Sequence, residues 1–104
     1  MIFILNKNQA ATGTDAVVNL GERTVMLPVR TFQSTVSGTG AVTATVVIQV
    51  SNDGTNYLTL GTITLSGTTS ASDGFASDAS GGYVRANVTA ISGTSAIVNT
   101  TMGA

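Results

Sequence analysis

From Val42 onward the chain alternates. Ala44, Val46, Ile48 and Val50 fall on one side of an extended backbone, and Thr43, Thr45, Val47 and Gln49 fall on the other. A strict period of two, rich in Val, Ile and Thr, predicts a β-strand with one face buried. The run Ser51-Asn52-Asp53-Gly54-Thr55-Asn56 follows. It predicts a turn, because Asp and Asn tolerate left-handed backbone angles and Gly adopts them freely. A second run over residues 57–65 sets Leu58 and Leu60 against Tyr57, Ile63 and Leu65. Residues 41–65 are therefore expected to form a long β-hairpin around which the rest of the chain is organised.

The flanking sequence adds shorter patterns. Residues 2–5 are an apolar candidate strand, 6–15 a polar loop or extended arm, and 16–20 a short strand. Residues 24–36 predict a longer strand. Pro28 has no N–H for a ladder, so that strand is expected at an edge or bulged. Residues 37–40 and 92–94 read as turns. The small polar residues of 66–82 read as a long connection, pinned by Phe75 through a short strand over 74–77. Over 83–91, Val84, Ala86 and Val88 alternate with Tyr83, Arg85 and Asn87; over 95–102, Ala96, Val98 and Met102 oppose Ile97 and Asn99. Gly-Thr recurs at irregular spacing and marks turns, not a solenoid repeat. No stretch has a capped period of 3.6, so essentially no helix is expected. The expected fold is all-β: an antiparallel β-sandwich of about six to eight strands, Ig-like or jelly-roll in connectivity. Residues 1–15 would be an N-terminal strand or arm and 16–104 a single sandwich domain.

Composition changes this picture in one respect. Only 9% of the 104 residues are charged, against about 25% in an average soluble domain. Thr, Ser and Gly take the place of charge, which suits a surface that packs on another protein without burying ions. Net charge is −1, and Lys7, Arg23, Arg30 and Arg85 are scattered, so no basic stripe exists to draw the chain to nucleic acid or an anionic membrane. The apolar opening, residues 1–5, is far shorter than a signal h-region or a membrane span. It reads as a strand or an arm that docks on something apolar, and synthesis and assembly are expected in the cytoplasm.

Candidate chemistry is sparse. With neither His nor Cys, the chain lacks the commonest general base and metal ligand and the best nucleophile. Asp73 and Asp78 would share one loop, where two carboxylates can act as an acid/base pair or hold Ca²⁺; Asp-Gly at 73–74 is first of all a turn signal. Asp53 with Asn52 and Asn56 offers oxygen ligands, but without the spacing of an EF-hand loop. Tyr57 and Tyr83 are candidate sugar-stacking rings, with packing as the plainer role. Arg85 is expected to pair with Asp73 or Asp78, to reach a partner subunit, or to stand on a wet sheet face. Asn87-Val88-Thr89 and Asn99-Thr100-Thr101 match the glycosylation pattern, which a Thr-rich chain produces by chance. No cofactor or metal is expected.

Four segments carry a resemblance: Ser-Asn-Asp-Gly-Thr-Asn-Tyr at 51–57, Leu-Gly-Thr-Ile-Thr-Leu-Ser-Gly at 60–67, Tyr-Val-Arg-Ala-Asn-Val-Thr at 83–89 and Met-Gly at 102–103. Residues 41–103 resemble small β-sandwich virion proteins of tailed bacteriophages, with Tyr57 where that group carries Trp. The resemblance implies no active site. It implies a non-enzymatic structural role: a capsid decoration or cement protein that bridges major capsid subunits, or a small tail or neck component. Its partners would be the major capsid protein or other virion proteins and further copies of itself, as a trimer. Ile2, Phe3, Ile4, Leu5 and Arg85 are the expected partner-binding residues, the N-terminal segment lying along a neighbour as an added strand. The competing class is a carbohydrate-binding module of a phage fibre, marked by an exposed aromatic beside paired Asp and Asn in one cluster of loops, with Tyr57, Asp53 and Asp73 as the candidates.

Overall fold

The alternation at the centre of the chain holds in three dimensions. In the computed structural model, which describes residues 2–19, 29–78 and 82–103, Val42, Ala44, Val46 and Ile48 are buried, whereas Thr43 is exposed. Five strands are present among the described residues: β1 (Ile2–Gln9), β2 (Gly13–Asn19), β3 (Arg30–Ser51), β4 (Leu58–Ser77) and β5 (Tyr83–Gly103). All pair antiparallel in one sheet. β3 is central, with β4 on one side and β5 on the other. The far side of β5 carries two strands in succession, β2 along its first half and β1 along its last. The expected β3–β4 hairpin is there, closed by residues 52–57. No helix occurs among the described residues.

The strand number corrects the expectation of six to eight. The runs around residues 37–40 and 92–94 are bends inside continuous strands, because β3 keeps the same neighbours on either side of them. Likewise 66–77 is the second half of β4, not a loop; it is paired with β3 from Ser66↔Thr43 to Ser77↔Arg30. Its lack of apolar alternation matches its burial: no residue from Ser66 to Ser77 is buried, so neither face of this half demands an apolar row. Residues 6–15 are also more ordered than a loop, since they hold the end of β1, the turn at 10–12 and the start of β2. The expected strand over 24–36 enters the description only as the start of β3, and Pro28 lies outside the described residues.

The bends have a visible cause. Left-handed residues line up across the sheet: Gly40 in β3 (φ 73°), Thr69 in β4 (φ 66°), and Gly93 and Ser95 in β5 (φ 130° and 55°). Register shifts in β3 fall at the same place, between Ser37 and Thr43. A straight strand rises about 3.3 Å per residue, so β3 alone would span about 73 Å. The longest dimension of the molecule is 44 Å. The long strands therefore double back. Residues 78–82, which at about 3.6 Å per residue reach only about 20 Å, connect Ser77, paired with Arg30, to Tyr83, paired with Ser51.

Contacts between the two halves confirm the fold-back. An ideal Cβ on Gly61, early in β4, would lie 2.5 Å from Cζ of Phe75, late in the same strand. Buried Asn6, opposite Thr100 in the last part of β5, donates from Nδ2 to the carbonyl of Ala86 in the first part, at 3.2 Å. One apolar cluster takes residues from both halves: Phe32, Val36 and Met102 from one, Val46, Ile63 and Val84 from the other. Phe32 is fully buried, its ring centroid 5.3 Å from that of Phe75, so Phe75 does pin the second half of β4. Ser34 and Thr100, also buried, satisfy each other through their hydroxyls at 2.9 Å.

Candidate functional site

The outward face of the sheet near the hairpin turn holds Arg85. The registers place a row there of Val17 on β2, Arg85 on β5, Gln49 on β3 and Thr59 on β4. Arg85 points outward because its neighbours Val84 and Ala86 point in and are fully buried. Its Nε donates to Oε1 of Gln49 at 2.7 Å, and its guanidinium carbon stands 3.7 Å from the centre of the Tyr57 ring. Of the roles considered from sequence, Arg85 takes the outward-facing one, held by an amide and an aromatic face and not by Asp73 or Asp78. A guanidinium stacked on a tyrosine in this way gains about 0.5–1 kcal/mol at an exposed site. Val17 beside it is 50% exposed and Leu58, next to Tyr57, is 71% exposed. Arginine and tyrosine are among the side chains that protein interfaces favour.

The turn itself is a closed hydrogen-bond system. Asp53 Oδ1 accepts from the N–H groups of Thr55 and Asn56, both at 2.8 Å, and from the Ser51 hydroxyl at 2.8 Å. Its Oδ2 accepts from Asn56 Nδ2 at 2.8 Å. The Ser51 hydroxyl in turn accepts from the N–H groups of Asp53 and Gly54. These bonds, led by the Asn56 N–H, favour the ionised carboxylate and hold Asp53 well below the usual carboxylate range. Both of its oxygens thus accept bonds from within the loop. Tyr83 packs over Gly54, and each tyrosine is thereby committed to local structure.

The other candidates are dispersed. Asp73 lies on β4 opposite Ser34, accepts from the N–H of Gly74 at 2.8 Å, and lines an open pocket of about 400 Å³ with Phe32 and Phe75. That pocket contains neither Tyr57 nor Asp53. Asp15 accepts from the Lys7 backbone N–H at 2.9 Å, and Glu22 lies outside the described residues. Among the described residues no group of three or more acidic side chains could hold a metal. Both glycosylation patterns fall within β5, which is paired on both sides, and Asn99 Oδ1 accepts from the N–H of Asn8.

The N-terminal candidates divide by face. Ile2 and Ile4 are exposed, at 66% and 52%, Phe3 is half-buried and Leu5 is fully buried. Here β1 is a strand of the chain's own sheet, paired from Ile2↔Gly103 to Gln9↔Val98. Only Ile2 and Ile4 present bare apolar surface. Three features escaped the sequence reading. Gln49 as the partner of Arg85 depends on the β3–β5 register. Asn6 is fully buried, and Arg30 is only 6% exposed with Nε and Nη1 unbonded. Burial lowers the Arg30 pKa. No family model, curated protein or solved structure matches the chain.

Proposed function

We propose that this chain is a non-enzymatic structural protein of a tailed-bacteriophage virion: a capsid decoration, or cement, protein that bridges and stabilises neighbouring major capsid subunits. In this reading it is made in the host cytoplasm, assembles onto the particle there and self-associates. The doubled-back sheet would form an antiparallel β-sandwich, its two halves facing each other across the shared apolar cluster.

The observation that carries the reading is the state of the polar side chains. Asp53 is engaged by its own turn and Arg85 by Gln49 and Tyr57, while the outer positions of β3 and β4 are hydroxyls such as Thr31, Thr35, Thr62 and Thr64. Such a surface offers contact area and hydrogen bonds without the cost of burying ions. A standard interface takes about 800 Å² per partner, about one-seventh of the 5437 Å² surface. There is room to touch two neighbours at once, as bridging requires. Ile2, Ile4 and the Arg85–Tyr57–Val17 patch are the proposed contact points. The motif resemblance of residues 41–103 supplies the virion context. A tail or neck component would use the same surface.

The test is addition of the purified chain to particles purified without it. Co-sedimentation in a fixed copy number, with a higher temperature of genome release, supports the cement role. Absence of binding together with an unchanged release temperature counts against it.

A further inference from the structure

The two edges of the sheet are treated differently. Beyond β5 the edge is made of short β1 and β2, interrupted at residues 10–12 and carrying Lys7 and Asp15. Short, broken and charged edge strands resist pairing with other chains. β4 is the opposite case: it runs from Leu58 to Ser77, pairs only with β3, contains no proline and has Asp73 as its one charge.

Protective devices nevertheless flank one part of β4. On one side, the register shift between Ile48 and Gln49 places a bulge near Leu60, and a bulge twists an edge away from pairing. On the other, Thr69 is left-handed and interrupts the extended backbone. Beyond it Asp73 stands opposite buried Ser34, and a charge on that side of a strand blocks sheet extension. Residues 62–68 lie between these devices and contain none. Ile63 and Leu65 are buried on the inner side, and Thr62, Thr64, Ser66 and Thr68 are exposed on the outer side.

This segment is complementary to itself. An antiparallel pairing with Leu65 opposite its own copy sets Ile63 against Gly67 in the inner row. In the outer row Thr64 faces Ser66 and Thr62 faces Thr68, hydroxyl to hydroxyl. Like faces meet like, no charge is juxtaposed, and every residue of the segment finds a partner. Opposed Thr and Ser side chains are favourable cross-strand pairs. We propose that residues 62–68 of β4 form a self-association edge, pairing with the same segment of a second copy about a two-fold axis through Leu65, so that two sheets become one. Such an interface is isologous and closed. It stands independently of where the protein works.

The test uses the full chain. Sedimentation equilibrium at up to about 100 µM, a range that suits a small interface, should show a reversible dimer. Thr64→Lys places lysines close to each other across the axis at an exposed position and should weaken dimerisation by about ten-fold or more. Ala76→Lys, exposed on the far half of β4, should leave it unchanged. Circular dichroism of both variants separates lost pairing from lost folding. The chain has no cysteine, so register can be read by cross-linking. Facing residues of an antiparallel pair have Cα atoms about 4.5–5.5 Å apart, within disulfide reach. Chains carrying T64C mixed with chains carrying S66C should form covalent dimers faster than either alone. A monomer throughout the range, a trimer, a dimer indifferent to Thr64→Lys, or equal cross-linking in mixed and unmixed samples overturns the proposal.

Discussion

Gly61→Ala tests whether β4 doubles back. The added methyl would sit 2.5 Å from Cζ of Phe75 and 2.9 and 3.0 Å from its two Cε atoms, so the tip of the ring must move. Phe75 is only half-buried, yet its ring is stacked against Phe32 at 5.3 Å, and that contact is disturbed with it. Overpacking of this kind costs about 1–3 kcal/mol. Replacing a strand glycine by alanine returns about 0.5–1 kcal/mol through chain entropy. The expected net loss is about 1–2 kcal/mol. In a Phe75→Leu background the ring tip is gone and Gly61→Ala should be neutral or mildly stabilising. The double-mutant cycle should therefore show coupling of about 2 kcal/mol, within the range for residues in contact. Urea unfolding of the four proteins at one pH measures it. In an unbent β4, rising about 3.3 Å per residue, the two residues would be about 46 Å apart. Additivity to within about 0.5 kcal/mol would refute the fold-back.

Three further outcomes follow from the same geometry. Ser34→Ala leaves the buried Thr100 hydroxyl without its partner and should cost about 1–3 kcal/mol; the double variant S34A/T100V should recover most of that loss, as read by urea midpoints. Asp53 is held below its ordinary value of 3.8 when folded. Its contribution is therefore complete above that value and is lost as pH falls toward the folded pKa. The urea midpoint should fall on acidification below about pH 4, and less steeply in Asp53→Asn, which keeps one acceptor oxygen. Arg85→Lys removes the stacked guanidinium and the bond to Gln49 and should cost about 0.5–1 kcal/mol. In a Tyr57→Leu background the stacking part of that loss should vanish from the thermal unfolding cycle.

Local pattern revealed the strands and which way their side chains face. Val42 to Ile48, Val84 to Val88, and Ala96, Val98 and Met102 are buried as their alternation indicates. Continuity was hidden, since a glycine with positive φ serves a hairpin turn and a bend equally well. Gly40 and Gly93 do the second, and only the pairing of both flanks with one neighbour distinguishes the cases. The second half of β4 was hidden for another reason: a strand of Ser, Thr and Gly at an edge carries no periodic signal. At the site, the turn role of Asp53 was legible because all its donors lie within three residues. The partner of Arg85 was not, because Gln49 meets it only through the β3–β5 register. The segment 2–5 was legible as a strand, while its place beside residues 101–103 of β5 is a long-range fact that no local pattern encodes.

The measurement closest to the central claim is cryo-electron microscopy of purified phage particles assembled in cells that make this protein. Symmetric copies over the capsid lattice, each touching two capsid subunits through the Arg85–Tyr57 face or the Ile2–Ile4 edge, are the result expected of a cement protein. Density confined to the tail, or absent from every particle, contradicts it.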